Sequence, residues 1–272
     1  MAGAEAFRED VAASWRRPSL DLERDSIIVL DADRPAGMAE VSGRHAEVAV
    51  HPGVRGRGIG SWLLAWTEAR AREIGTDRIG QNICDVAHPA IALLTATGYR
   101  PRWSSWVLEK PLGPEPLAPP APPSGVEIRA LEPGHDERPT YELIESAFSE
   151  WADREPTSFE DWAAAWFEGY ECDPSLAFLA VEGPDIVGAA LCAQNPGAGG
   201  WVYELAARTE DRGRGIAKAL LQHAFGEFHR RGERSVGLPT DSRTGALGLY
   251  ERVGMRVSKS FTHLAKDLRP AR

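Results

Sequence analysis

The sequence has no apolar run near the ~20 residues that a membrane-spanning helix needs, and it has only three cysteines. Cys84, Cys172 and Cys192 are scattered, without the paired spacing of a metal site or the even count of a disulfide framework, so they suit a reducing compartment and no metal is expected. Residues 1–10 are acidic and lack the apolar stretch of a secretory signal, and a cytoplasmic location is expected. Positive charge is also short. Lys and Arg number 31 against 40 Asp and Glu, a net charge of −9, which sets aside a general nucleic-acid footprint; no membrane partner is expected either. With 43% hydrophobic and 26% charged residues over 272 positions, the composition is that of a soluble globular protein with room for two cored domains.

What the chain does have is a glycine-rich basic stretch, twice. Arg55-Gly56-Arg57-Gly58-Ile59-Gly60 returns as Arg212-Gly213-Arg214-Gly215-Ile216-Ala217. Each copy follows a short apolar run and opens an apolar-periodic segment, which reads as strand, turn, helix. Glycine lets the backbone approach a ligand, and the first turn of a helix carries free N–H groups, so the pattern suits an anion, most often phosphate. An ordinary solvated Arg/Gly turn is the plainer alternative for one copy. The recurrence goes further: at an offset of 157, Glu47 matches Glu204, Leu63 and Leu64 match Leu220 and Leu221, and Gly75 and Gly80 match Gly232 and Gly237. At an offset of 156, Gly98, Lys110 and Leu112 match Gly254, Lys266 and Leu268. A whole domain is duplicated.

The expected division is a first domain over 1–112, a linker over 113–124 and a second domain over 125–272. Residues 111–124 hold seven prolines and little to pack, as a semi-rigid spacer would. In the first domain a helix is expected over 4–17, where Phe7, Val11 and Trp15 share a face. Strands follow over 26–30, 38–41 and 47–50 with a turn over 31–37 between the first two. A helix then runs to Glu73, a strand covers 78–84, a second helix 89–97 and a last strand 103–108. In the second domain a strand over 126–131 and a helix over 140–151 precede a helix at 158–169 with Ser158 as N-cap. A hairpin over 176–193, a strand over 201–207, a helix to Arg231, a strand over 235–239, a helix over 245–253 and a strand over 257–265 complete it.

Strand, Arg-x-x-Gly-x-Gly/Ala turn, helix and strand, followed by Gly245-Ala246-Leu247-Gly248-Leu249-Tyr250-Glu251-Arg252-Val253-Gly254, resemble the GNAT superfamily of acyl-CoA-dependent N-acyltransferases. Val50-His51-Pro52-Gly53-Val54 gives the lead-in to the first turn. Nearly all of the chain is covered, and two such domains in tandem are similar to the layout of the mycothiol synthases. The resemblance implies an α/β fold built on a mixed sheet in each domain, with the first domain lacking its opening strand and helix. It implies acetyl-CoA as acyl donor. The pyrophosphate would lie on Arg212, Gly213, Arg214, Gly215, Ile216 and Ala217, and in the first copy on Arg55, Gly56, Arg57, Gly58, Ile59 and Gly60. Backbone of Leu205, Ala206 and Ala207, and of Val48 and Val50 in the first copy, would take the pantetheine and the acyl oxygen from a bulged, splayed strand. Ser242 stands where the family often carries a cofactor-binding asparagine.

By the same resemblance Tyr250 is the general acid toward the leaving thiolate. Its counterpart four residues before Gly98 is Leu94, so the first copy lacks that acid. Glu204, eight residues before Arg212, is the candidate base toward an ammonium acceptor. Glu47 holds the same place in the first copy, which leaves open a structural role for both. Residues 150–170 mix acids with aromatics, which suits a cationic acceptor; the plainer alternative puts Trp162 and Trp166 in the core. Two functions from different classes follow. One is acetyl transfer to a primary amine of a small molecule, or to an amino-sugar thiol, carried out by the second domain. The other is a non-catalytic acyl-CoA-binding sensor. The sheet edge left by the missing strand calls for a cover, with a homodimer as one candidate.

Overall fold

The computed structural model describes Trp15 and residues 18–115, 121–151, 153–169, 173–195 and 199–268. The helix expected over 4–17, Trp15 excepted, lies outside the described residues, as do Cys172 and the middle of the Pro-rich linker. The chain divides into two compact units. One comprises Ser19–Ser105 with the chain from Lys259; the other is centred on Trp106–Ser258.

In the first unit a one-turn helix α1 (Leu22–Asp25), capped by the Asp21 carboxylate, leads into β1 (Ser26–Asp31), β2 (Arg34–Ser42) and β3 (His45–Val50). Then come α2 (Ile59–Glu73), β4 (Arg78–Cys84), α3 (His88–Ala96) and β5 (Arg100–Pro111). The turn between β1 and β2 is tighter than the 31–37 segment expected. Only Ala32 and Asp33 lie outside the strands, both with positive φ (48° and 65°), as a two-residue hairpin turn demands. Pro35 has no N–H to donate. The ladder accommodates it by passing from the Val29–Gly37 pair to Leu30–Pro35, with Ala36 as the extra residue. α2 packs its apolar face on the sheet, and Val41, Ala46, Leu64, Ile79, Leu94 and Tyr99 form the core.

In the second unit β6 (Glu127–Ala130), α4 (Glu137–Phe148) and α5 (Phe159–Ala163) open the fold, and α5 widens into a π-helical turn over Ala164–Gly169. Ser158 caps α5 as expected, its hydroxyl accepting from the Asp161 N–H at 3.1 Å. β7 (Ala177–Glu182), β8 (Asp185–Asn195), β9 (Gly199–Ala207), α6 (Ile216–Arg230), β10 (Ser235–Asp241), α7 (Leu247–Arg252) and β11 (Arg256–Asp267) follow. β6 to β9 are an antiparallel run and β10 joins β9 in parallel. One core fills the space between the sheet and α6, with Phe228, Leu220, Leu238 and Tyr250. A second fills the other face under α4 and α5, with Ile144, Leu179, Leu191, Trp162 and Trp166. Among the described residues the first unit has no counterpart to β6 and α4. There Ile28 and Leu30 of β1 stand 61% and 56% exposed.

The offset of 157 maps α2 onto α6 and β4 onto β10, end to end. The last strands do not stay with their own repeats. The end of β5, from Trp106, belongs to the second unit, and the end of β11, from Lys259, to the first. β11 pairs antiparallel with β4 from Phe261–Cys84 to Asp267–Arg78. Leu268 N–H donates to the Asp77 carbonyl at 2.8 Å, and Leu112 N–H donates to the Arg234 carbonyl at 2.8 Å, one bond repeated at matching positions. The expected domains 1–112 and 125–272 follow the repeat in sequence, and the compact units differ from them by this exchange.

Candidate active site

Both glycine turns have the backbone their sequence anticipates. Gly56 and Gly58 sit at φ 78° and 84°, Gly213 and Gly215 at 80° and 89°. A Cβ at any of the four would meet nothing within 4 Å, so glycine is needed for the left-handed conformation and the space above each turn is open. Neither α2 nor α6 has a side-chain cap, which leaves the first-turn N–H groups of Ile59 and Gly60, and of Ile216 and Ala217, pointing at that space.

The arginines are placed less simply than the motif suggests. Arg212 pairs with Glu150 at 2.6 Å, and the Thr209 hydroxyl donates to the other Glu150 oxygen at 2.6 Å. These two contacts hold the Glu150 carboxyl below its usual range. Arg214 bonds both Glu182 oxygens, at 2.7 and 2.9 Å, and Asp211 as well. In the first unit Arg57 bonds Asp31 at 2.6 and 3.2 Å, while Arg55 lies on the surface. Charge at three of the four arginines is therefore spoken for by carboxylates, and the backbone amides are the part of each turn that faces open space.

β9 is where the two units diverge. Its ladder with β8 runs in register from Ala207–Gly188 to Glu204–Leu191, then skips Tyr203 and resumes at Val202–Cys192. That bulge turns two consecutive side chains to the same side. Tyr203 meets Trp166 edge to face, with ring centroids 5.5 Å apart, and Glu204 meets Trp162. On its other flank β9 pairs with β10 only at Gly200–Val236 and Trp201–Gly237. Beyond these the strands part. Arg208 N–H donates to the Val187 carbonyl, so by the alternation of an antiparallel ladder Glu204 and Ala206 bond toward β8. Leu205 and Ala207 direct their N–H groups into the gap. In the first unit β2 and β3 run without a bulge from Gly37–Val50 to Ser42–His45, although β3 and β4 part in the same way after His45–Gly80. Val48 and Val50 are half-buried and Glu47 is exposed, 3.8 Å from His45.

Glu204 retains some surface, but its carboxyl group is enclosed. Trp162 donates its indole N–H to Oε2 at 3.0 Å. Burial pushes the carboxyl up to about 7, against the pull of the two tryptophans and of Arg154. Trp162 and Trp166 are thus core residues, as the plainer expectation had it, and Trp162 is a donor to Glu204 as well. Tyr250, on α7, is buried, and burial pushes its phenol up to about 12. Leu205 and Ala207 pack against the cluster that contains it. Leu94 is buried at the matching place in the first unit. Ser242 is exposed in the turn after β10, between Asp241 and Arg243, which pair with each other at 2.6 Å.

Among the described residues no group of three or more His, Cys, Asp or Glu is placed to hold a metal ion, and no helix is long and apolar enough to cross a membrane. The model of the acetyltransferase (GNAT) family matches residues 4–99 and again 138–255. The chain belongs to the GNAT acetyltransferase family. This GNAT acetyltransferase is 33% identical over 246 residues to a mycothiol acetyltransferase of Thermobispora bispora, covering 84% of this chain and 79% of that one. It is 32% identical over 275 residues to the mycothiol acetyltransferase of Salinispora arenicola, covering 93% and 84%. Among solved structures it is similar to a GCN5-related N-acetyltransferase from Sphaerobacter thermophilus, with a TM-score of 0.78 and 36% identity over 97% of this chain and 86% of that one. A tandem GNAT protein from the clavulanic acid biosynthesis pathway shares the fold, with a TM-score of 0.69 at 16% identity over 97% and 89%.

Acetyl-CoA is the donor that enzymes of this family use, and the tandem GNAT architecture is the one the repeated turns imply. Two features of the site escaped the sequence reading, the bond from Trp162 to Glu204 and the carboxylates on the arginines; the bulge in β9 was expected from the resemblance, though not its place at Tyr203. A tryptophan pair at i, i+4 signals a buried helix face equally well with or without a polar partner, and a bulge carries no residue signature here.

Proposed function

We propose that the second repeat moves the acetyl group of acetyl-CoA directly to a primary amine of a small molecule, with both substrates bound at once. The observation that carries this reading is the bulged, splayed β9, which sets an enclosed carboxylate and two unpaired amides on the strand that leads to the glycine turn. Glu204 takes a proton from the ammonium form of the acceptor, directly or through water. The neutral amine attacks the thioester carbonyl, a C–N bond forms, and the negative oxygen is held by N–H groups of the Leu205–Ala207 backbone. Collapse breaks the C–S bond while Tyr250 gives its proton to the sulfur. The new nitrogen gives up its remaining extra proton to solvent, amide and free CoA thiol leave, the phenol regains a proton from solvent and Glu204 releases the one it took. A carboxyl that titrates near 7 is suited to accept a proton at neutral pH. In the first repeat Leu94 replaces the acid, Glu47 is exposed and β3 is unbulged, so that copy is scaffold or holds acyl-CoA without turnover.

The test is acetyl-CoA-dependent thiol release across a panel of amines. Turnover with at least one amine, lost in Glu204→Gln, supports the reading. Binding of acetyl-CoA with no release from any acceptor would sink it and favour the acyl-CoA sensor. A second reading makes the acceptor the amine of an amino-sugar thiol, because relatives at 32–33% identity are named mycothiol acetyltransferases. Mass analysis after incubation with an amino-sugar thiol, showing one added acetyl group on nitrogen, separates it from a general amine acetyltransferase.

A further inference from the structure

We infer that the Trp162 indole is a one-donor clamp that positions Glu204, holding its carboxylate on the α5 side of β9. The inference rests on the proposed role of Glu204 as base. Its ground is geometric. The bulge at Tyr203 gives Glu204 a place on the α5 side of the sheet, and Trp162 meets Oε2 there at 3.0 Å. The Trp162 indole is buried, at 3% exposure, so it cannot trade the carboxylate for water without moving the core. The helix that carries Trp162 and Trp166 changes to π geometry at Ala164, between the two tryptophans. A π turn holds more residues per turn than an α turn, which alters the angle between side chains four apart. Aromatic neighbours brace both tryptophans: Tyr141 and Phe167 lie against Trp162, with centroids 5.6 Å away in each case, and Tyr203 against Trp166.

The chemistry of the clamp is specific. Indole N–H donates and never accepts, and it carries no charge. Such a donor favours the ionised carboxylate over the acid without neutralising it, as an arginine would. The charged groups acting on Glu204 are Arg154, which favours ionisation, and Glu145 on α4, which opposes it; these two pair with each other. Of the other titratable groups on the packed elements, Glu137, Arg138, Tyr141 and Glu142 stand on α4, Glu160 and Asp161 on α5, Tyr203 on β9, the enclosed Cys192 on β8 and Tyr250 on α7. His223 of α6 lies against Phe178 on the opposite face of the sheet, and burial lowers it. Glu204 is the group among these whose titration falls near 7.

The test begins with the wild-type protein labelled with ¹⁵N in tryptophan. The Trp162 indole N–H signal, assigned by Trp162→Phe, should move with pH at a midpoint near that of the acidic limb of kcat/KM, and should stop moving in Glu204→Gln. In kinetics, Trp162→Phe should shift that limb upward by about one to two pH units, the worth of a hydrogen bond to a charged group. Turnover should recover at high pH. Acetyl-CoA titration checks that the variant is folded, and the wild-type indole signal decides the matter if it is not. An indole signal that ignores pH, or a loss of turnover equal at all pH values, would overturn the clamp. If Glu204→Gln retains the acidic limb, it is the base reading that fails; if Glu204→Gln loses the limb while the indole signal stays still, only the clamp fails.

Discussion

A carboxyl near 7 and a phenol near 12 sit on strand β9 and helix α7, and burial is the leading cause of both shifts. The two values prescribe a pH profile. Glu204 must be ionised to accept a proton, so turnover rises as pH passes through about 7. Tyr250 must be protonated to donate, and it stays so up to about 12, so no alkaline decline from this residue enters the ordinary assay range. The expected kcat/KM curve climbs once and levels. Replacing the phenol tests the acid directly. Tyr250→Phe should lower kcat by about 10²–10⁴-fold, the usual worth of one general acid, with acetyl-CoA affinity nearly unchanged on calorimetric titration. A variant with full kcat would remove Tyr250 from the chemistry. At this scale the sequence spoke clearly where a side chain has one counterpart to be compared with, as with Tyr250 against Leu94. It was silent where meaning depends on surroundings. Glu47 and Glu204 look alike in the two repeats, yet one is exposed and the other bonded to a buried indole.

Elements were more legible, because helix and strand periods and glycine stops are local. The 15-residue helices α2 and α6 both begin after a glycine at positive φ, and the offset of 157 carries one onto the other. This equivalence makes a controlled experiment possible. Gly58 and Gly215 have φ of 84° and 89°, and a side chain at either costs about 1–2 kcal/mol of backbone strain. Because the strain is matched, a difference between Gly58→Glu and Gly215→Glu reports on the ligand and not on the fold. The added carboxylate repels phosphate at a helix start that otherwise attracts it. Gly215→Glu should abolish acetyl-CoA turnover, and Gly58→Glu should leave it. Loss of turnover in Gly58→Glu, with the protein still folded by circular dichroism, would give the first turn a part in catalysis. The salt bridges of these turns could not be foreseen. Glu150, Glu182 and Asp31 lie 62, 32 and 26 residues from the arginines they hold, and nothing local in the sequence joins them.

For the whole molecule, the repeat told how many domains were encoded and not how the chain shares them. Lys110 and Lys266 are the same residue of the repeat, yet Gly254 faces Lys110 and Gly98 faces Lys266. Strand pairing is set by backbone hydrogen bonds, which are alike in both copies, so the sequence cannot say which copy receives each last strand. The structure answers that the chain from Lys259 completes the unit of Ser19–Ser105. β11 there closes a ladder along the full length of β4, and Lys266 bonds both oxygens of the nearly buried Glu68 at 2.8 Å. A chain ending at Ser258 therefore leaves β4 with one flank unpaired and Glu68 without its lysine. Such a buried carboxylate and a bare edge of backbone groups are costly together. The truncated chain should lose hydrogen-exchange protection at 78–84, far from the cut in sequence. Protection retained there would mean that the first repeat folds without β11.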